Sequence, residues 1–297
     1  MWFAFALITT LSWGIADLFY KKGTDSTDSY SHLKTGIMVG LVMGLHAVIN
    51  MLVQGLSFDP FDMVRYLPVS ALYILSMIIG YLGLRYLELS IASPVQNSSG
   101  AITALILFLF FRHEPDFISI AGITLITFGV MGLAVFEKKE QLTEDRLNNP
   151  SSNAKYKLGI LAITFPLLYA LLDALGTTAD GVYLNELELI SEDSALLAYE
   201  FTWLLMAVLT YLYLRFRKKQ NFKPHREPIR AFAAIFETAG QFFYVFAMAD
   251  NAIIAAPMIA SYSIVSLILS RIFLKEKLSR LQYIFIAVVM LGIAILG

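Results

Sequence analysis

The sequence predicts an all-α integral membrane protein with ten transmembrane helices arranged as two inverted five-helix repeats. Three observations carry that expectation. First, of 297 residues 58% are hydrophobic and only 15% charged, against roughly 25% charged in an ordinary soluble domain. With a mean hydropathy of +0.67, most of this chain has lipid for its solvent. Second, the apolar residues fall into ten stretches near the ~20 residues that a membrane helix needs. Third, the chain repeats itself. Sliding it by 163 positions lays Pro94 on Pro257, Tyr81 on Tyr244, Gly129 on Gly292 and Phe110 on Phe273. Glu114 and Glu276 stand 162 apart, so one residue is gained or lost between the copies.

The first span, 2–20, is apolar from the outset, with no basic leader and no small-residue cleavage site, and reads as a membrane helix rather than a signal peptide. The second, 33–54, carries His46, Asn50 and Gln54 at i, i+4, i+8, a stripe suited to polar contact between helices. Spans three to five run over 67–87, 93–111 and 117–136. The fourth opens polar, with Pro94, Gln96, Asn97, Ser98, Ser99, Gly100 and Thr103. Residues 137–156 are charged, rich in Asn and Ser, and form a linker. Spans six to ten cover 157–178, 194–214, 229–249, 252–274 and 279–297. The ninth again opens with a proline and small polar groups: Pro257, Ser261, Tyr262, Ser263 and Ser266. The repeats are therefore 1–136 and 157–297. Five spans before the linker is an odd number, so the second repeat enters the bilayer from the opposite side. Loops after the seventh span (Arg215, Arg217, Lys218, Lys219, Lys223, Arg226, Arg230) and after the ninth (Arg271, Lys275, Lys277, Arg280) are basic, whereas the loop after the sixth carries Asp180, Glu186, Glu188, Glu192 and Asp193. Positive loops stay inside, which makes the linker cytoplasmic and sets both chain ends outside.

Several function classes are excluded. A net charge of −1 gives no footing for nucleic acid, and with no cysteine there are no disulfides and no thiolate chemistry. The string HEPDF at His113 has Pro115 inside it and Phe117 where a second histidine would have to stand, so it is no zinc helix. Neither a nucleophile elbow nor a phosphate-cradling glycine loop is present. The expectation is of no enzyme, no cofactor and no metal.

What remains is acid inside the spans: Asp17, Asp173, Glu200 and Glu237. A carboxylate in the bilayer is costly unless it faces a wet interior, and it marks a functional site. Glu237 lies about 12 Å along its helix, near the midplane; Glu200 lies about 9 Å along. Asp17 and Asp173, about 22 Å along theirs, come near an interface. Gln241 and Tyr244 follow Glu237 at i+4 and i+7 on one face, with Gly240 thinning the helix beside them. Carboxylate, amide and phenol on one stripe can hold an ammonium group. Trp13 precedes Asp17 by four, as Tyr169 precedes Asp173 by four, both pairs repeating at 156 positions. Tyr81, Tyr199, Trp203 and Tyr262 also fall inside spans.

Two five-helix halves, Trp13-Gly14 late in the first span, the Ala-Ser-Pro and Ala-Ala-Pro entries to spans four and nine, and the charged cluster ending in Glu114 or Glu276 resemble the EamA family of the drug/metabolite transporter superfamily. That resemblance implies a central cavity walled by spans one, three, four, six, eight and nine, with spans five and ten at the periphery, near the dimer contacts of smaller relatives. Several members keep both ends in the cytoplasm, opposite to what the basic loops indicate here.

The reading reached is a secondary transporter in a cell membrane, a bacterial inner or plasma membrane, moving a small cationic or zwitterionic metabolite by alternating access with proton coupling. Its substrate-binding residues are Glu237, Gln241, Tyr244, Trp13, Asp17, Tyr81, Tyr169, Asp173, Tyr262 and Glu200, with Glu237 and Asp17 as proton-coupling groups, since a partly desolvated carboxylate can trade a proton for a cation. Partners are the small-molecule substrate, the lipid bilayer and H⁺; the chain works as monomer or homodimer. Two alternatives stand: an exporter of neutral amino acids or other metabolites, and a non-transporting scaffold or lipid enzyme.

Overall fold

The computed structural model describes residues 1–110, 117–148, 162, 164–276 and 278–296; of residues 133–148 only the helical backbone is described. Among these residues the regular structure is all helical. The first half comprises α1 (Trp2–Gly23), α2 (Ser31–Gln54), a short α3 (Pro60–Arg65), α4 (Leu67–Gly83), α5 (Leu89–Gln96), α6 (Ser99–Phe110) and α7 (Phe117–Asn148). The second comprises α8 (Thr164–Gly181), α9 (Glu192–Leu212), α10 (Pro228–Ala260), α11 (Tyr262–Leu269) and α12 (Arg280–Leu296). Helix runs 2–23, 31–54, 89–110, 192–217 and 228–274 are long and apolar enough to cross a membrane, and the last crosses twice. With the shorter apolar α4, α7 and α12 and the more polar α8, the chain makes ten passages.

Local chemistry sets the ends. Gly55, at φ 68, closes α2 in the left-handed region that a side chain disfavours. Asp59 caps α3 by accepting from the Phe61 N–H at 2.9 Å, with Pro60 in the first turn where its missing N–H costs nothing. Ser191 caps α9, and Glu192 and Asp193 sit in its first turn, where the helix dipole favours acid.

Contacts between helices come in pairs that exchange under a twofold operation. α1 lies along α10 as α8 lies along α4; α2 packs on its counterpart α9, and α7 on its counterpart α12. The self-paired seams are glycine seams. A Cβ on Gly40 would strike the Trp203 backbone, and one on Gly44 would meet Leu204 at 2.7 Å. On the other seam Gly122 lies against Leu296 and Gly129 against Val289. In lipid, where apolar groups gain little by leaving the solvent, such close approach is what holds helices together.

Both passages at the centre are broken, a feature the sequence reading did not foresee. The fourth opens at Leu89, not at residue 93, and pauses between α5 and α6; the ninth follows the eighth with no loop, separated only by non-helical backbone at Asn251 (φ −162, ψ 81), and pauses between α10 and α11. The pauses are equivalent. Ser98 Oγ donates to the Val95 carbonyl at 2.7 Å, and Ser261 Oγ to the Met258 carbonyl at 2.5 Å. Side-chain hydroxyls thereby take acceptors that the next turn of helix would have used.

Four further boundaries differ from expectation. α7 runs helically beyond residue 136 as far as Asn148, while 149–161 lie outside the described residues, as do His113 and Glu114. α8 is described from Thr164, since residues 157–161 and 163 of the expected sixth span lie outside the described residues, and Asp173 stands about 14 Å beyond Thr164. Asp180, read as a loop charge, is in α8 and fully buried. Arg230, read as a loop cation, is buried in the first turn of α10, donating to Thr35 and Ser31 at 3.3 and 3.0 Å and paired with Glu227.

The N-terminal amine meets Asp250 at 3.1 Å, which places the chain start on the face where α10 bends back. We call this the terminal face. On the opposite, linker face, Lys21 donates to the Leu84 and Leu87 carbonyls at 2.8 and 2.5 Å. There Glu276 of the second half accepts from the Leu89 and Ser90 N–H groups of the first at 3.2 and 2.9 Å.

Candidate functional site

A cavity of about 800 Å³, counting the space at its mouth, lies between the halves. Its wall draws on α1, α4, α5, α6, α8, α9, α10, the first residue of α11 and the turn at Asn97, so spans one, three, four, six, eight and nine surround it, joined by Tyr199 of span seven. Among the described residues, spans five and ten contribute nothing to it. Every wall residue is buried or half-buried.

Two of the aromatic walls are built the same way. The Trp13 ring of α1 lies against Gly240 of α10, where a Cβ would collide with its Cδ1 and Nε1, and its Nε1 donates to the Glu237 carbonyl at 3.2 Å. In the other half the Tyr169 ring of α8 lies on Gly80 of α4, where a Cβ would come within 2.6 Å of it. What approaches the thinned helix at Gly240 is therefore a neighbouring ring. From these two seats the aromatic lining spreads: Trp13 lies tilted to Tyr244 (5.1 Å) and edge-to-face with Tyr262 (5.7 Å), Tyr73 edge-to-face with Tyr199 (5.9 Å), and Tyr20 tilted to Tyr81 (4.6 Å).

Three carboxylates share the cavity, each held differently. Asp17 Oδ2 accepts from Ser93 at 2.6 Å and from Ser266 at 2.7 Å, one serine from each half. Asp173 Oδ2 accepts from Ser99 at 2.6 Å. Glu237 Oε2 accepts only from Tyr20, at 3.1 Å. Among the described residues none of the three is paired with a basic side chain, and no Lys, Arg or His lies on the wall. An ionised carboxyl can accept about four hydrogen bonds; Glu237 and Asp173 each receive one, and the bond to Glu237 is the longer, so Glu237 is the more weakly held and the freer to take a ligand. Ser93→Ala and Ser266→Ala should each cost about 1–3 kcal/mol of stability by leaving Asp17 short of a donor. Because both serines serve one oxygen, the double variant should depart from additivity, which thermal unfolding of the three variants measures.

Of the residues singled out from sequence, Glu237, Gln241, Tyr244, Trp13, Asp17, Tyr81, Tyr169, Asp173 and Tyr262 all stand on this wall. Glu200 does not. It is fully buried on the seam between α9 and α2, where His46 Nδ1 meets its two oxygens at 2.7 and 2.9 Å. The remainder of that stripe bonds within α2 itself, Gln54 donating to Asn50 at 2.6 Å. Tyr20, Tyr73, Met77, Thr177 and Tyr199 were missed as wall residues, yet a signal existed. Tyr20 follows Asp17 at i+3, and Tyr73, Met77, Gly80, Tyr81 and Leu84 form one helical stripe. Tyr169, Asp173, Thr177 and Asp180 form another, which is how Asp180 could have been taken off the loop. Among the described residues no three His, Asp or Glu side chains converge as a metal site.

Inverted halves, discontinuous central helices and an acid-lined pocket at mid-depth define the class of membrane carriers built from repeats. The chain belongs to the EamA-like transporter family, whose sequence pattern it matches over residues 1–135 and 160–297, one stretch in each half; it is a multi-pass membrane protein of the drug/metabolite transporter type. A solved structure titled only "Crystal structure of protein" superposes with a TM-score of 0.62 over 97% of each chain at 14% identity, a likeness of fold alone. None of the curated proteins compared with the chain matches it.

Proposed function

We propose that this transporter moves a small cationic or zwitterionic metabolite, an amine, a quaternary ammonium compound or an amino acid, by proton-coupled alternating access. The observation that carries the reading is the composition of the wall: three carboxylates, seven tyrosines and one tryptophan, with no basic side chain. An anion would find no positive partner there among the described residues, and three carboxylates to repel it. A neutral solute would leave the carboxylates unanswered, at several kcal/mol for a buried charge. A cation meets charge at Glu237 and the faces of Trp13, Tyr244 and Tyr262 around it, each cation-π contact contributing about 0.5–2 kcal/mol.

Glu237 is the principal ligand and exchanges its cation for a proton; Asp17 and Asp173, better satisfied by serines, shape the field around it. Gln241, one turn on, supplies an amide able to donate or accept beside the carboxylate. The halves rock about the glycine-lined central crossing. With the basic loops on the linker face, that face is cytoplasmic. The neutral-substrate exporter is the rival; the family's being one of transporters argues against the scaffold or lipid enzyme.

Proteoliposomes loaded at a different pH from the bath test the reading with labelled choline as probe. Tetramethylammonium in excess should suppress choline uptake, and neutral amino acids should not. Inhibition by neutral amino acids, with no effect of quaternary amines, would give the field to the exporter.

A further inference from the structure

One carboxylate stands apart from the three in the cavity. Asp180, near the terminal-face end of α8, is fully buried, and Tyr66 donates to its Oδ1. Its Oδ2 is sealed from solvent and no donor reaches it at normal hydrogen-bond distance; the Tyr73 and Tyr244 hydroxyls stand near the carboxyl but are engaged with each other. No basic side chain is paired with it among the described residues. Among the described residues the titratable groups that face it are all tyrosines: Tyr66 at the start of α4, Tyr73 on α4, Tyr244 on α10 and, further off, Tyr199 on α9.

This cluster lies between the cavity and the terminal face, and it ties the halves together. Tyr73, Tyr244 and Thr177 are themselves wall residues. The Tyr73 and Tyr244 hydroxyls meet at 2.5 Å across the two halves, and Tyr73 donates to Thr177 at 3.1 Å. Tyr66 of the first half holds Asp180 of the second. Separating α4 from α8 and α10 at this end, as opening toward the terminal face requires, breaks all of these contacts and lets water reach Asp180.

A buried acceptor oxygen without a donor, and a carboxyl without a positive partner, are both costly. A proton on Oδ2 removes both costs at once, converting the orphan acceptor into a donor within a nest of phenolic oxygens. We infer that Asp180 is a proton-binding site of its own, separate from the cation site at Glu237, whose occupancy closes the terminal-face gate. Closing requires the neutral acid; on opening, the carboxyl gives its proton to water, and it must regain one before the face can close again. This rests on the alternating-access reading above but not on the identity of the substrate.

The chain has no cysteine, so a single probe can be introduced without background. Met77→Cys places a thiol on the cavity wall one turn inward of Tyr73. Its labelling by a water-soluble maleimide is followed in nanodiscs from pH 6 to pH 9, normalised at each pH to the unfolded chain. With Asp180 present, labelling should accelerate with pH, by up to about tenfold per unit, the slope one proton gives. With Asp180→Asn, which keeps shape and loses the titration, the profile should be flat, whereas with Glu237→Gln it should persist. An unchanged profile in Asp180→Asn overturns the inference, as does a gate that responds to sodium at fixed pH in place of pH. Should Asp180→Asn be unstable, Tyr66→Phe decides: a shifted midpoint supports the assignment and an unshifted one overturns it. Failure of choline to bind or move would sink the cation reading while leaving this measurement intact.

Discussion

Glu237→Gln should weaken equilibrium binding of tetramethylammonium by at least about thirty-fold and abolish pH-driven choline uptake. The magnitude follows from the pairing removed: truncating one partner of a buried charge pair costs about 2–5 kcal/mol, and each 1.4 kcal/mol is tenfold. Glutamine keeps the volume and can still accept from Tyr20, which bonds the native carboxylate at 3.1 Å, so the fold should persist and the effect should read on binding rather than on stability. Asp17→Asn should cost less affinity, because two serines at 2.6 and 2.7 Å already engage one of its oxygens. Isothermal titration across a range of pH distinguishes the candidates. If a proton and the cation compete for Glu237, native affinity rises with pH and that dependence vanishes in Glu237→Gln. Were Glu237→Gln to bind the probe with native affinity, or to retain coupled uptake, the central assignment would be lost.

The repeat and the stripes were legible because they are periodic. A shift of 163 positions superposes Pro94 on Pro257, and helical spacing puts Glu237, Gln241 and Tyr244 on one face. Those marks survive in sequence because every helix that lines a cavity must present the same face for several turns. What was not legible depended on partners from distant segments. Nothing near Glu200 in the chain announces His46, which lies on α2 and meets it at 2.7 Å. The breaks at Ser98 and Ser261 are likewise invisible to hydropathy, since a serine bonded to a carbonyl three residues back reads like any other serine in an apolar helix. Asp180 is a mixed case: its helical spacing from Tyr169, Asp173 and Thr177 was readable, but its cover, Tyr66 from the opposite half, was not.

The second large effect should come from a residue with no polar chemistry at all. Gly100, at the start of α6, crosses the second arm of α10 so closely that a Cβ there would collide with the Ala260 Cβ, lie 2.9 Å from the Ala256 carbonyl oxygen and 3.2 Å from Pro257 Cα. Two of those three neighbours are backbone, and the third is fixed to it, so no rotamer change can make room. The helices themselves must separate. Gly23 makes a useful contrast: its Cβ would meet the Arg230 Cγ at 3.0 Å, a side-chain carbon that need shift only a few tenths of an ångström. Overpacking of this kind costs about 1–3 kcal/mol for a methyl, and more for a branched chain. Gly100→Ala should therefore lower the unfolding midpoint measurably, Gly100→Val should prevent recovery of monodisperse protein, and Gly23→Ala should do neither. If the crossing is the cause, Ala260→Gly removes one of the three obstructions and should restore part of the loss in Gly100→Ala, a positive coupling in a double-mutant cycle. The Ala256 carbonyl remains, so the rescue should be incomplete. Full additivity of the two substitutions would mean that these helices do not meet here, and the rocking of one half on the other would need a different pivot.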